Sequence, residues 1–78
     1  MKNKKGVISV SSKHIDAGIE KYKGEIHLHL QAIIKSAGFD YTPYAFNDGR
    51  ILLVLPNKTC AFLYDNEELL TESLSLES

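Results

Sequence analysis

The stretch Ile51–Leu55, with the sequence ILLVL, is an unbroken run of aliphatic residues. The turn-forming sequences NDG (residues 47–49) and PNK (residues 56–58) stand on either side of it. A strand that faces solvent on one side alternates apolar and polar residues, whereas a strand covered on both faces reads as continuous aliphatics. The run therefore predicts the central strand of the domain, with cover on both of its faces.

Two further strands are predicted beside this run. Residues 39–46 (FDYTPYAF) and 59–64 (TCAFLY) are rich in aromatic and β-branched side chains, which strands favour. The turns at 47–49 and 56–58 are short enough to join neighbouring antiparallel strands. The sequence therefore predicts a three-stranded antiparallel meander.

The first of these strands has an irregular aromatic pattern. Its aromatics occupy odd positions and then even positions, namely Phe39 and Tyr41, followed by Tyr44 and Phe46. Side chains alternate between faces with a period of two, so a bulge at Thr42-Pro43 is predicted to keep the aromatics on one face. Pro43 lacks a backbone N–H, which predicts that the strand lies at an edge of the sheet.

A helical period runs from about residue 12 to residue 37. Gly24 interrupts it, so the pattern predicts either one long helix or two helices that meet near Gly24. Ser11 or Ser12 can cap its start, and Gly38 supplies the left-handed residue that commonly ends a helix. The apolar residues recur at steps of three and four: Ile15, Ile19, Tyr22, Ile26, Leu30, Ile33 and Ala37.

The ends of the chain complete the predicted α+β fold, in which a long helix, continuous or broken, packs on the three-stranded meander. Asp65 or Asn66 caps a short C-terminal helix, and residues 7–10 (VISV) are a candidate for an additional strand at an edge. We expect residues 1–78 to form a single domain, with residues 1–5 flexible and residues 75–78 frayed.

The small size of the chain and its single cysteine restrict the class of protein. A chain of 78 residues buries only about 60–65% of its unfolded surface. Cys60 alone excludes an intramolecular disulfide and a cysteine metal cluster, which favours a reducing compartment. No apolar stretch approaches the roughly 20 residues that span a bilayer. We therefore expect a soluble cytoplasmic protein that makes no contact with a membrane.

Helix length predicts a homodimer. A continuous helix over residues 13–37 would be roughly 37 Å long, whereas a seven-residue strand spans only about 23 Å. The overhanging part of the apolar stripe would need a second subunit to cover it, as would any face of residues 51–55 that the terminal helix left bare.

Residue types that carry chemistry are sparse. On a strand, His27 and His29 would point the same way and could share a metal. On a helix they would lie about 200° apart and could not, and the apolar stripe predicts a helix here. Cys60 stands among apolar residues and is interpreted as an inert packing residue. Glycine-rich phosphate loops and hydrolase serine motifs are absent from the sequence. We expect no catalytic residue, no metal site, no cofactor and no enzyme activity.

The aromatic strand is the leading candidate for a functional surface. Tyrosine is enriched where one side of a residue is dry and the other wet, as at protein interfaces. The predicted binding residues are Tyr41, Tyr44, Phe46 and Tyr64. We expect a small protein-binding module that serves as an accessory factor or inhibitor of a larger assembly, a role that is common among the small proteins of phages and plasmids.

A basic N-terminal part supports an alternative, nucleic-acid binding. Its lysines would contact phosphates while tyrosines stack on bases. The residues concerned are Lys2, Lys4, Lys5, Lys13, Lys21 and Lys23.

Residues 50–65 (RILLVLPNKTCAFLYD) form a predicted hairpin that follows a helix beginning at Glu25. This order of a helix and strands, over about half of the chain, resembles the core of restriction-endonuclease-like nucleases of the very-short-patch-repair kind. In that family the second strand supplies an aspartate and the third an acid and a lysine that hold magnesium. The matching positions here, within 51–55 and 60–63, are apolar, so the resemblance implies a catalytically inactive relative. The same order of elements recurs in unrelated proteins, and no family is assigned.

Overall fold

The computed structural model describes residues 7–77 of the chain. Within this range, three α-helices pack on a five-stranded antiparallel sheet, which confirms the predicted α+β class. The predicted flexibility of residues 1–5 lies outside the described residues, and the fraying of residues 75–78 stays a prediction. The elements are β1 (Val7–Ser11), α1 (Ser12–Lys21), β2 (Glu25–Ile26), α2 (Leu28–Ser36), β3 (Thr42–Ala45), β4 (Ile51–Val54), a 3₁₀ turn (Pro56–Lys58), β5 (Cys60–Tyr64) and α3 (Glu67–Glu77).

The strands are arranged in the order β1-β5-β4-β3-β2, so β4 is the central strand. No residue of Ile51–Val54 exposes more than 5% of its surface. On one face of β4, Ile51 and Leu53 pack with side chains from α2 and α3. On the other face, Leu52 and Val54 pack with Ile15 of α1. The prediction of a central strand covered on both faces is confirmed.

The prediction that residues 39–46 form an edge strand was wrong, because β2 pairs with the side of β3 that faces away from β4. The N–H of His27 donates to the carbonyl oxygen of Pro43 at 2.9 Å. In an antiparallel strand the backbone nitrogen and oxygen of one residue point to the same side. The nitrogen of Pro43, which carries no hydrogen, therefore also faces β2. Pro43 is tolerated here because β2 ends at Ile26, and the next residue leads into α2.

The predicted bulge at Thr42-Pro43 is also wrong. The register between β3 and β4 runs without interruption from Thr42 opposite Val54 to Ala45 opposite Ile51. The aromatics need no common face, because both faces of the sheet are covered. Phe39 and Tyr41 pack on the α2 and α3 side, and Tyr44 and Phe46 pack on the α1 side.

The predicted helical stripe is divided near Gly24 into α1, β2 and α2. Gly24 lies against the ring of Phe46: a Cβ atom at this position would stand 2.7 Å from Phe46 Cε1. α2 turns Leu30 and Ile34 inward, whereas Ile26 and Ile33, both assigned to the apolar stripe, expose 45% and 38% of their surface. The chain therefore does not form one continuous helix with a single buried stripe.

The two structural premises of the predicted homodimer do not hold for residues 7–77. α1 lies on one face of the sheet, and α2 and α3 lie on the other. The described part of the chain therefore has neither an overhanging long helix nor a bare face on β4, and the homodimer itself stays a prediction.

The predicted signals are confirmed at the end of α2 and the start of α3, whereas Ser11 occupies the N-cap position of α1 without a side-chain capping hydrogen bond. At the end of α2, Gly38 has a φ of 93°, and the N–H groups of Gly38 and Phe39 donate to the carbonyl oxygens of Lys35 and Ile34. This is the left-handed C-terminal motif that glycine favours. At the start of α3, Asn66 Oδ1 accepts from the N–H of Leu69 at 2.9 Å. Among residues 7–77, no helix has the length and hydrophobicity that a membrane span requires.

Candidate functional site

The four predicted binding residues do not form one surface. Phe46 and Tyr64 expose only 7% and 6% of their surface, and Tyr41 and Tyr44 are half-buried. Tyr41 and Tyr64 pack with the α2 and α3 side of the core, whereas Tyr44 and Phe46 pack with the α1 side. The structure therefore separates them into two pairs on opposite faces of the sheet.

The described lysines of the nucleic-acid alternative are exposed on or next to α1. Lys13 lies near the start of α1, and Lys21 and Lys23 lie at its end, about 12 Å away along the helix axis. The acidic residues Asp16 and Glu20 lie between them on the same helix. These lysines are therefore divided by acidic side chains. Lys2, Lys4 and Lys5 lie outside the described residues.

The exposed apolar side chains point to a different surface. Leu28 exposes 74% of its surface. Of the large apolar residues that the structure describes as exposed, four lie between residues 22 and 33, and the fifth, Ile8, lies on β1, the strand at the opposite edge of the sheet. We name Tyr22, Ile26, Leu28, His29 and Ile33 the β2–α2 surface.

Helix geometry explains why α2 leaves apolar residues in solvent. α2 packs on the sheet through Leu30 and Ile34, which are one turn apart. Leu28 lies about 200° around the helix from Leu30, so it points away from the sheet. His29 and Ile33 are likewise one turn apart and share an exposed face. The first turn of α2 thus presents apolar side chains outward.

A shallow groove of about 500 Å³ runs along this surface. Ile26, Leu28, His29, Phe46 and Asn47 are among the residues that line the groove. A second concavity of about 180 Å³ lies beside Tyr22 and shares Lys23 and Asn47 with the groove. The two concavities are therefore neighbours, one beside Tyr22 and the other beside the start of α2.

Aromatic and cation–π contacts hold the Tyr22 side chain in place beside the second concavity. The rings of Tyr22 and Phe46 are stacked, with centroids 5.6 Å apart. Lys21 Nζ and Arg50 Cζ each lie 5.3 Å from the centre of the Tyr22 ring. These distances are in the range of cation–π interactions.

Asp48 fixes the position of Arg50 in the β3–β4 turn. Asp48 Oδ1 accepts from the backbone N–H of Arg50 at 3.1 Å, and Asp48 Oδ2 accepts from Arg50 Nε at 2.8 Å. The backbone hydrogen bond, followed by the contacts with the guanidinium, lowers the pKa of Asp48 below its ordinary value. The turn thereby holds Arg50 beside Tyr22.

The histidine pair has a structural role that sequence analysis missed. His27 Nδ1 accepts from the N–H of Leu30 at 3.1 Å and caps the start of α2. His27 Nε2 lies 3.6 Å from Glu67 Oε1 of α3, and the rings of His27 and His29 are 6.4 Å apart. In the described part of the chain, no three His, Cys, Asp or Glu residues are grouped as metal ligands would be. The arrangement positions Leu28 and His29 at the beginning of the helix.

Comparisons with protein-family models, with curated proteins and with solved structures found no match to this chain. The resemblance of residues 50–65 to the nuclease core therefore gains no support from them.

Proposed function

We propose that the chain is a non-catalytic protein-binding module and that its partner contacts the β2–α2 surface. The exposure of Leu28, at 74%, beside the exposed Ile26 is the observation that carries the proposal. A single exposed apolar residue is ordinary, but two large ones that line the same groove indicate an interaction site. The partner would insert apolar side chains into the groove that Ile26 and Leu28 line.

The charge distribution supports a protein partner. Residues 26–37 contain a single residue with a permanent charge, Lys35. The centres of protein interfaces are depleted in charged residues, whereas a nucleic-acid site needs several cations along a backbone path. Lys23 and Glu25 line the groove together with Ile26 and Leu28, and their charges are opposite, so the groove carries no excess of positive charge for a nucleic acid.

The rigidity of the surface supports the same proposal. Tyr22 is stacked on Phe46, and His27 caps the helix that carries Leu28. A surface whose side chains are already held in place loses less conformational entropy on binding. Such a module serves as an accessory factor or inhibitor by covering part of a larger assembly.

The test compares variants of the exposed residues with a matched variant elsewhere. The native chain is used to capture its partner from the organism that makes it, and the Kd for the purified partner is then measured. Leu28→Ser and Ile26→Ser should each weaken binding by about tenfold or more, as truncation of an interface anchor does. The melting temperature should stay within a few degrees, because both side chains are exposed.

Ile8→Ser is the control, because Ile8 is 58% exposed but belongs to β1, at the other edge of the sheet. Its Kd should equal that of the native chain. The proposal is wrong if Leu28→Ser and Ile26→Ser bind the partner as tightly as the native chain does. A captured nucleic acid whose affinity falls steeply with salt, and falls further in Lys21→Gln and Lys23→Gln, would support the alternative function instead.

A further inference from the structure

β1 forms one edge of the sheet, and in the described part of the chain it pairs with β5 alone. It is the longer of the two edge strands, with five residues against the two of β2. An edge strand presents unpaired backbone groups that can pair with another strand.

The register of the sheet identifies the backbone groups that face outward. The N–H of Leu55 donates to the carbonyl oxygen of Cys60 at 3.0 Å, so the backbone groups of Cys60 face β4. Successive residues of a strand direct their backbone groups to opposite edges. Those of Ala61 therefore face β1, where Ala61 stands opposite Val10.

The same alternation continues along β1. Val10 and Ile8 face β5, and the backbone groups of Val7, Ser9 and Ser11 consequently face the open edge. The carbonyl oxygen of Ser11 also lies at the start of α1, where Ser11 is the N-cap residue. The free edge is thus centred on Ser9, with one outward residue on either side of it.

β1 lacks the features that usually prevent edge strands from pairing. Natural edge strands are protected by charged residues, prolines, bulges or short length. The sequence of Val7–Ser11 is VISVS, without charge or proline, and its register with β5 is unbroken. The other edge is different, because β2 has two residues and includes Glu25. Of the two edges that residues 7–77 form, the β1 edge is therefore the one that can pair with a long partner strand.

We propose that the outer edge of β1 pairs with β1 of a second copy of this chain, antiparallel, with Ser9 of one copy opposite Ser9 of the other. A two-fold symmetric contact brings the same surface of both copies together. Pairing centred on Ser9 uses all three outward residues, because Val7 then stands opposite Ser11. If the pairing were centred on Ser11, the strand of the second copy would extend past the end of β1 and meet α1, which begins at Ser12.

The side chains of β1 favour a second copy as the occupant. In the proposed register Ile8 stands opposite Val10 of the second copy, in a pair that is not hydrogen-bonded and whose side chains lie close together. Ile8 faces the α1 side of the sheet and is 58% exposed, so the pairing covers it. A symmetric contact would bring like charges together, but β1 has none, and the net charge of the chain is only -1.

The proposed dimer would leave the β2–α2 surface open. β1 and β2 are at opposite ends of the strand order, so pairing at β1 joins two five-stranded sheets and places a β2 strand at each far end. The inference does not depend on the proposed function, because it concerns a separate edge and a separate measurement.

Charged variants at Ser9 test both the dimer and its register. The mass of the native chain is measured by sedimentation equilibrium from micromolar to millimolar concentration and should approach twice that of the monomer. Ser9 is exposed, and Ser9→Lys or Ser9→Glu should each remain folded by circular dichroism. Each variant alone should dimerise at least about tenfold more weakly, because hydrogen-bonded residues in facing strands are only about 5.5 Å apart.

An equimolar mixture of Ser9→Lys and Ser9→Glu should recover the dimer, since opposite charges would then face each other at position 9. Leu28→Ser should dimerise like the native chain. A native chain that is monomeric at every concentration overturns the proposal, as does a mixture that shows no recovery. Loss of the dimer in Leu28→Ser would overturn it as well, because the contact would then be at the β2–α2 surface.

Discussion

β4 and the β2–α2 surface are both apolar, yet no residue of Ile51–Val54 exposes more than 5% of its surface, whereas Leu28 exposes 74%. β4 has a strand on either side and helices over both faces. β2 has two residues and one neighbouring strand. Apolar composition alone therefore does not separate core from surface in this chain. The number of elements that cover a residue does.

Loss of an apolar side chain should have different consequences in these two regions. Truncation at β4 removes contacts that hold the fold together, and it leaves a cavity between two helical layers. Truncation at Leu28 removes a side chain that already contacts mostly water. Stability should respond to changes at the centre of the sheet, and binding should respond to changes at its β2 end.

The largest effect is expected for Leu53→Ala. Leu53 is 2% exposed, and its loss should lower the free energy of unfolding by about 2–4 kcal/mol. Small domains have about 5–15 kcal/mol in total, so this is a large fraction. Urea denaturation measures the change, and Leu28→Ala is the control, with an expected change within about 0.5 kcal/mol. Equal losses in the two variants would contradict the contrast between centre and end.

The centre of the sheet could be predicted from sequence because its signals are local and strong. Five consecutive aliphatics require cover on both faces, and residues 51–54 have it. The turn at Asn47–Gly49 and the caps at Gly38 and Asn66 depend on residues close in sequence. Local chemistry was sufficient for these elements.

The β2 end could not be predicted in the same way, because its structure depends on long-range pairing. Ile26 fits the helical period as well as a strand, and its pairing with Tyr44 decides between them. The predicted bulge in β3 assumed that the aromatics share a face. That assumption conflicts with a central strand covered on both faces, since the neighbouring strand is then covered on both faces too.

The candidate surface did leave a signal in the sequence that was interpreted differently. Residues 26–37 contain one lysine and no acid, and the apolar residues among them were assigned to a helical stripe. In α1 the stripe residue Ile15 is buried, but in α2 Leu30 is buried and Ile33 is exposed, so the stripe is only partly correct. The break at Gly24 also places α1 and α2 on opposite faces of the sheet. Which side of α2 faces solvent depends on that break.

An intermediate effect is expected for Gly24→Ala, at the β2 end. The added Cβ would lie 2.7 Å from Phe46 Cε1, and the ring cannot move freely because Tyr22 is stacked on it. The variant should lose about 1–3 kcal/mol of unfolding free energy, as overpacked sites do. Thermal or urea denaturation provides the measurement.

Gly18→Ala is the matched control for this variant. Gly18 lies inside α1, and a Cβ there would have no other atom within 4 Å. The substitution should stabilise the chain by about 0.5–1 kcal/mol, because alanine is the better helix former. Opposite signs for the two glycines would locate the constraint at the contact between Gly24 and Phe46. A stabilising Gly24→Ala would show that this end of the sheet is loosely packed.

The smallest expected effect is the pH dependence that Asp48 contributes beside Tyr22. Hydrogen bonds from Arg50 lower the pKa of Asp48 from its ordinary value of 3.8. A carboxyl group whose pKa is lower in the folded chain stabilises the fold above the unfolded value, and this contribution is lost as the pH falls through the folded value. Asp48→Asn should therefore be slightly less stable than the native chain at neutral pH, and the difference should disappear at strongly acidic pH. The Asp48 side chain is exposed, so the change in melting temperature should be smaller than that of Gly24→Ala. An NMR titration that finds the Asp48 pKa at or above 3.8 would show that the turn does not hold Arg50 in this position. Asp48 would then not keep the Arg50 guanidinium beside the Tyr22 ring.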